Sequence, residues 1–301
     1  MPTFPNFEEK QFEGALNADL LASGRLIYPP GQVLEAAVGF DAAIYSNNPK
    51  FWALWGHTGI PTGLPIGHRW WPVLPSPLPS FPPFALNVFI QYKRPQYIGR
   101  RGWKAKEWKH WRQDYYRFAI TPHQQTALEH CENSLGAMGI VAYSSPVFHQ
   151  ATDLYRHQAA GTLIDNSNFA KVSSLTGHGM YTYVSPGTSG IACSEPREIP
   201  HFDLLAEVRS ALERSERSLS PREFIGQTYD RLRGLWPIDV LNLEEYLGQA
   251  LEGLEVITAG DAEPAEIRRV VRQFTAVQAI SRHFGATWLV AARQAETPSQ
   301  R

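Results

Sequence analysis

The sequence predicts an α/β protein whose N-terminal two thirds alternate strands with helices and whose C-terminal region is all-helical. Three observations carry this. Apolar runs of strand length occur at 33–46, 84–94 and 139–148. Between them lie segments with apolar residues every three or four positions, the helical period. Beyond residue 200 only helical stripes remain.

Residues 7–22 place Phe12, Leu16 and Leu20 four apart, which predicts a short amphipathic helix. Residues 33–46 read as a strand with Val38, Phe40, Ala42 and Ile44 on one face and Glu35, Asp41 and Ala43 on the other. Proline density over 47–83 forbids a central strand or a long helix, so this segment is an insertion. A second strand covers 84–94. A helix then starts at Pro122 and stops near Gly136, a third strand covers 139–148, and a short helix covers about 150–160. The Gly- and Ser-rich stretch around 176–199 predicts a loop or hairpin. After a boundary near 199, Ser220, Pro221 and Glu223 form a capping-box pattern. Ile267, Val270, Val271, Phe274 and Val277 then make one stripe. The domains are therefore 1–199, with the insertion at 47–83, and a helical 200–292, followed by a fraying tail at 293–301. The helical stripes suit either a core or a face for a homo-oligomer or partner protein.

Charge and cysteine usage exclude some classes. The net charge of −1 names no partner for the whole chain. Two cysteines make neither a disulfide framework nor a zinc site and fit a reducing compartment. The histidines show no zinc-ligand spacing. No apolar run approaches the ~20 residues that span a bilayer, and the N-terminus has no leader-like pattern, so a cytoplasmic protein without membrane contact is expected.

Positive charge is nevertheless concentrated. Residues 91–117 hold nine Lys/Arg against two acids, with seven aromatics between them, while the remainder keeps 19 basic against 27 acidic residues. Basic side chains displace counterions from phosphates, and flat rings stack on bases. Arg94, Arg100, Arg101, Lys104, Lys106 and Lys109 are the expected contacts to a nucleic-acid backbone. The bland alternative is a solvated face with the tryptophans packed inward.

Chemistry is suggested beside this segment. On the strand ending "VFIQYK", Gln91 and Lys93 share one face about 6–7 Å apart. Asp41 sits among small residues, Ala37, Gly39 and Ala43, which leave room for approach. Glu13 lies on or beside the apolar stripe of the first helix, where a carboxylate needs a partner. Hard divalent cations take oxygen ligands. Asp41, the Gln91 amide oxygen and the backbone carbonyl of Tyr92 could supply them, completed by Glu13, if the two strands adjoin. A bound metal acidifies water and neutralises phosphate charge, and Lys93 would stabilise charge on the phosphorane. Glu9 and Glu35 are substitutes for Glu13. The plain alternative for Gln91 and Lys93 is a strand end meeting solvent.

Residues 8–150 resemble the PD-(D/E)XK nuclease superfamily, closest in style to its Holliday-junction-resolvase and Mrr-like restriction branches. The resemblance is carried by the helix with Glu13, the strand "VGFDAAIY" with Asp41, the strand "VFIQYK", and the helix-then-strand "HQQTALEHCENSLGAMGIVAY". It implies a restriction-endonuclease-like mixed sheet flanked by helices and a Mg2+- or Mn2+-dependent endonuclease acting on DNA in preference to RNA. A restriction or anti-phage defence effector is the corresponding role. By this match Asp41 is the metal-binding aspartate, Gln91 stands where Asp or Glu is usual, Lys93 is the signature lysine and Glu13 the helical acid. Gln91 brings one negative charge fewer, as in a QxK subset. The 50 positions from Asp41 to Gln91 require the insertion to bulge from a hairpin. The alternative is a catalytically degenerate fold that binds nucleic acid or protein.

Overall fold

A computed structural model of the chain describes residues 2–23, 27–38, 42–54, 83–100, 105–215, 219–236, 242–258 and 263–292. Asp41, most of the Pro/Trp-rich insertion and the tail lie outside them. In chain order the elements are α1 (Glu9–Ala22), β1 (Ile27–Tyr28), α2 (Pro30–Val38), β2 (Ala42–Ser46), α3 (Pro49–Leu54), β3 (Phe84–Tyr92), β4 (Gln96–Ile98), α4 (Trp108–Trp111), β5 (Tyr115–Ala119) and α5 (Pro122–Leu135). They continue with β6 (Gly139–Pro146), α6 (Ala151–Ala160), β7 (Ser167–Lys171), β8 (Met180–Tyr183), β9 (Gly190–Ala192), β10 (Arg197–Ile199), α7 (Leu204–Arg214), α8 (Pro221–Leu232), α9 (Leu243–Ala250), β11 (Leu254–Thr258), α10 (Pro264–His283) and β12 (Thr287–Ala292).

The helix ends follow local chemistry. The Glu8 backbone N–H donates to Gln11 Oε1 at 2.8 Å and starts α1. Pro122 opens α5, and Gly136 follows its last residue with φ +54°, a left-handed turn that suits glycine. The expected capping box of α8 is present, with Ser220 and Glu223 bonded reciprocally. Residues 30–38 correct the expected strand at 33–46: they form a helix, and of the described residues in that span only 42–46 is extended. Pro30 provides a favourable first helical residue. Val33 with Ala37, and Leu34 with Val38, are each four apart and bury one helical face, a spacing that the alternating reading concealed.

The protein is mixed α/β with a mixed sheet flanked by helices. The central sheet has the order β1-β12-β3-β6-β7. β3 and β6 are parallel, joined by a crossover that includes α5, and the other neighbours are antiparallel. All nine residues of β3 are buried. Leu86, Val88, Ile90 and Tyr92 face α1, α6 and α7, whereas Phe89 faces α2, α5, α8 and α10. A second, antiparallel sheet, β10-β9-β8-β5-β4, joins the second of these cores through Phe118, Tyr181 and Tyr183. The Tyr183 hydroxyl locks the two sheets together by donating to Ser145 Oγ and to the Pro146 carbonyl. β2 and β11 form a separate pair.

The C-terminal region is not all-helical, because 254–258 and 287–292 are strands. β12 lies between β1 and β3, so its alternate residues feed both cores: Trp288 and Val290 one, Leu289 and Ala291 the other. Its five-residue apolar run, Trp288 to Ala292, is buried on both faces and has no alternation to reveal it. The expected boundary near 199 falls between β10 and α7, and residues on both sides of it build the same cores. The α10 stripe, for which the sequence allows either a core or an assembly face, is buried within the chain. No helix among the described residues is long and apolar enough to cross a membrane.

Asn87 shows how the layers are tied. Its buried amide accepts from Trp288 Nε1 at 2.8 Å and donates to the Met138 carbonyl and Thr228 Oγ1, both at 3.1 Å. Both cysteines are free. Cys131 is fully buried in α5, and burial pushes its thiol far up, whereas Cys193 is half-buried. A disulfide reagent is therefore expected to label Cys193 in the native protein and Cys131 only in denaturant. Rapid native labelling of both would contradict the packing of α5.

Candidate functional site

β3 ends beside the end of its parallel neighbour β6. In open α/β sheets the carboxyl ends of parallel strands are where ligands gather. The ladder continues one step past β3: the Lys93 N–H donates to the Ser144 carbonyl at 2.8 Å, and Ser145 Oγ donates to the Lys93 carbonyl at 2.9 Å. These bonds hold the backbone of Lys93 rigidly at the edge of the core.

Gln91 and Lys93 project to one side, as strand alternation requires, and there they meet Gln124 from the first turn of α5. Lys93 Nζ donates to Gln124 Oε1 at 2.8 Å. Gln124 Nε2 donates to Gln91 Oε1 at 2.7 Å and to the Phe284 carbonyl at 3.0 Å. Gln91 Nε2 in turn donates to the Tyr92 carbonyl at 2.9 Å. The ammonium also lies 5.6 Å from the centre of the Tyr143 ring, within cation–π reach. Gln91 is only 4% exposed and Lys93 is half-buried, so the strand end does not simply run into solvent.

Glu9, the first residue of α1, is the carboxylate that faces this group. Burial raises its carboxyl above the usual range, while the Lys93 ammonium and the Arg94 backbone N–H pull it back down. Burial lowers the Lys93 ammonium, and Glu9 opposes that. Glu13 sits elsewhere. Its Oε1 accepts from Thr287 Oγ1 at 2.6 Å and its Oε2 from Lys10 Nζ at 2.5 Å. Thr287 is paired with Ile90 and so shares the α1 side of the sheet, opposite the face of Gln91. The structure thus brings Gln91 and Lys93 together through Gln124, leaves Glu9 coupled to Lys93 by charge without an ion-pair contact, and leaves Glu13 on the face opposite Gln91. Asp41 lies outside the described residues. The strand that follows it, β2, pairs with β11, whereas β3 is flanked by β12 and β6, which corrects the expectation that these two strands adjoin.

The oxygens of Gln91 and of the Tyr92 carbonyl are of the hard type that Mg2+ and Mn2+ prefer, and each retains a lone pair beyond the bond it accepts. Glu9 is the neighbouring carboxylate. Among the described residues no group of three or more His, Cys, Asp or Glu side chains could hold a metal ion. The donors here fit such an ion in kind.

The basic segment divides. Arg94 is committed internally, to Glu8 Oε2 at 3.3 Å and to the Pro5 carbonyl. Arg100, Lys106 and Lys109 are exposed, while Arg101 and Lys104 lie outside the described residues. Arg117 pairs with Glu107 at 3.2 Å. The rings expected to stack on bases are largely used in packing. Tyr92 and Tyr115 are buried, and Trp111 Nε1 donates to Thr182 Oγ1 at 3.0 Å.

Sequence reasoning missed Gln124 and the Phe284–Gly285 turn. A glutamine inside a helix carries no spacing signature, and a backbone carbonyl has no sequence signal at all. No family model matches the chain, and neither a curated protein nor a solved structure is significantly similar to it.

Proposed function

We propose that this chain is a Mg2+- or Mn2+-dependent endonuclease that hydrolyses phosphodiester bonds of DNA, with Gln91 and Lys93 at the reacting phosphate. The observation that supports this reading is the meeting of the Lys93 ammonium and the Gln91 amide oxygen on Gln124 at the carboxyl end of the central parallel pair, with the Glu9 carboxylate acting on Lys93 through its charge. Gln91 Oε1 and the Tyr92 carbonyl would hold the ion, and Asp41, whose following strand pairs with β11 and not with β3, is proposed as an acidic ligand supplied from outside the central sheet. When bound, it supplies charge neutralisation and a more acidic water. The chain's own side chains do the rest. Lys93 presents positive charge where negative charge grows on the phosphate, in a site already shielded from bulk water. Gln124 Oε1 holds that ammonium in place, and the Glu9 carboxylate favours its charged form. Arg100, Lys106 and Lys109 are exposed cations suited to gripping the DNA backbone. A role in restriction or antiviral defence rests on the family resemblance alone.

The test is nicking of supercoiled plasmid. Cleavage is expected with Mg2+ or Mn2+, lost with EDTA, and lowered about 100-fold or more by Asp41→Ala. Equal nicking by the wild type and Asp41→Ala removes Asp41 from the site. No nicking by the wild type with either metal refutes the reading.

One observation favours a second reading, a nuclease-like module that binds without cutting. Gln91 Oε1 and the Tyr92 carbonyl already accept hydrogen bonds from inside the protein. That reading predicts salt-sensitive DNA retention without cleavage under any divalent metal.

A further inference from the structure

We infer that Gln124 is a positioning residue for the Gln91–Lys93 couple and that Gly285 provides the clearance it needs. The inference rests on the reading of Gln91 and Lys93 as the reactive pair. Three separate parts of the chain meet at this one amide: β3, α5, and the turn between α10 and β12. The chemistry fixes which way it points. An ammonium can only donate, so the Gln124 oxygen must face Lys93. Its NH2 group then meets two acceptors, Gln91 Oε1 and the Phe284 carbonyl. With its own oxygen held, Gln91 turns its NH2 onto the Tyr92 carbonyl. One side chain therefore sets both the reach of Lys93 and the orientation of Gln91.

Gly285 shows how tightly this is built. Its φ is +66°, a left-handed conformation that favours glycine. A Cβ at this position would lie 2.8 Å from Gln124 Nε2 and 3.1 Å from Gln91 Oε1. The backbone thus passes against the two amides, and a methyl group there would push the Gln124 amide out of its present position. Displacement of a reacting group by about 1 Å can cost about 100-fold in rate, so this clamp is where precision would be lost first.

The experiment uses the full chain and four variants: Gln124→Ala, Gln124→Glu, Gly285→Ala and, as a remote control, the exposed Tyr155→Ala. Steady-state cleavage with Mn2+ is measured beside the melting temperature and the rate at which an amine-acylating reagent labels Lys93, read by mass spectrometry. Gln124→Ala should lower kcat about 10- to 100-fold with KM little changed. It should also speed Lys93 labelling about tenfold, as expected when a hydrogen bond from a charged group is lost. Gln124→Glu keeps an acceptor for Lys93 but loses the N–H groups that Gln91 Oε1 and the Phe284 carbonyl accept, so it should restore slow labelling while kcat stays low. Gly285→Ala should resemble Gln124→Ala, and Tyr155→Ala the wild type. Unchanged labelling and kcat in folded Gln124→Ala overturns the inference. So does Lys93 labelling in Gln124→Glu as fast as in Gln124→Ala, or a loss of activity in Gln124→Ala that follows the melting temperature. If the wild type cleaves nothing, the nuclease reading fails, and the labelling rates alone decide the role of Gln124: faster in Gln124→Ala upholds the clamp, equal removes it.

Discussion

Replacement of Trp288 by alanine lowers the unfolding free energy by about 3–5 kcal/mol, the usual range for a fully buried tryptophan. Trp288 is 1% exposed, lies against Phe89 and Phe274, and anchors the Asn87 amide through its indole N–H. The loss combines the transfer of a large ring with a cavity between β12 and the helices above it. A typical domain has about 5–15 kcal/mol in total, so the urea midpoint should fall steeply. The exposed Tyr155→Ala should stay within about 0.5 kcal/mol of the wild type. A change below about 1 kcal/mol for Trp288→Ala would mean that β12 is not a central strand, and the sheet order would have to be redrawn.

Lys93→Met is expected to separate function from stability. Methionine keeps the length and apolar body of the side chain and removes its charge. The bond to Gln124 Oε1 and the attraction to Glu9 are lost, but so is the burden of a half-buried ammonium. These nearly cancel for many buried ions, so stability should move by no more than about 1 kcal/mol. Glu9 keeps its burial and loses its cationic partner, which drives its carboxyl further up. Cleavage should fall about 100- to 1000-fold, the cost of deleting one group aimed at developing charge. A structural lysine would behave in the opposite way, with stability falling and activity following it.

The sequence disclosed those parts of the fold whose signals are local. Phe12, Leu16 and Leu20 marked α1, Pro122 and Gly136 bracketed α5, and Ser220 with Glu223 marked the start of α8. β3 and β6 were visible as apolar runs, and their alternation put Gln91 and Lys93 on one face. What failed was non-local. Nothing along the chain states that the neighbours of β3 are β12 and β6, because pairing is decided by which buried strands fit together across nearly the whole length of the chain. α2 was misread because "VLEAAV" satisfies both periods and only its burial against α8 and α10 selects the helix. The choice between Glu9 and Glu13 shows the same limit in a single turn. The two lie four residues apart on α1. Glu9 sits at the helix start, near the end of β3, while Glu13 is one turn further along, over Thr287 of β12. Sequence spacing places both on one stripe, and only the docking of α1 on the sheet decides which meets Lys93.

The central claim is that the couple at the end of β3 exists for chemistry rather than for packing. The most direct test measures the melting temperature and Mn2+-dependent plasmid nicking of Lys93→Met in one preparation beside the wild type. The account predicts a melting temperature within a few degrees of the wild type and nicking reduced at least about 100-fold. Nicking at the wild-type rate by the folded variant, or a collapse in melting temperature that accounts for lost activity, would contradict it.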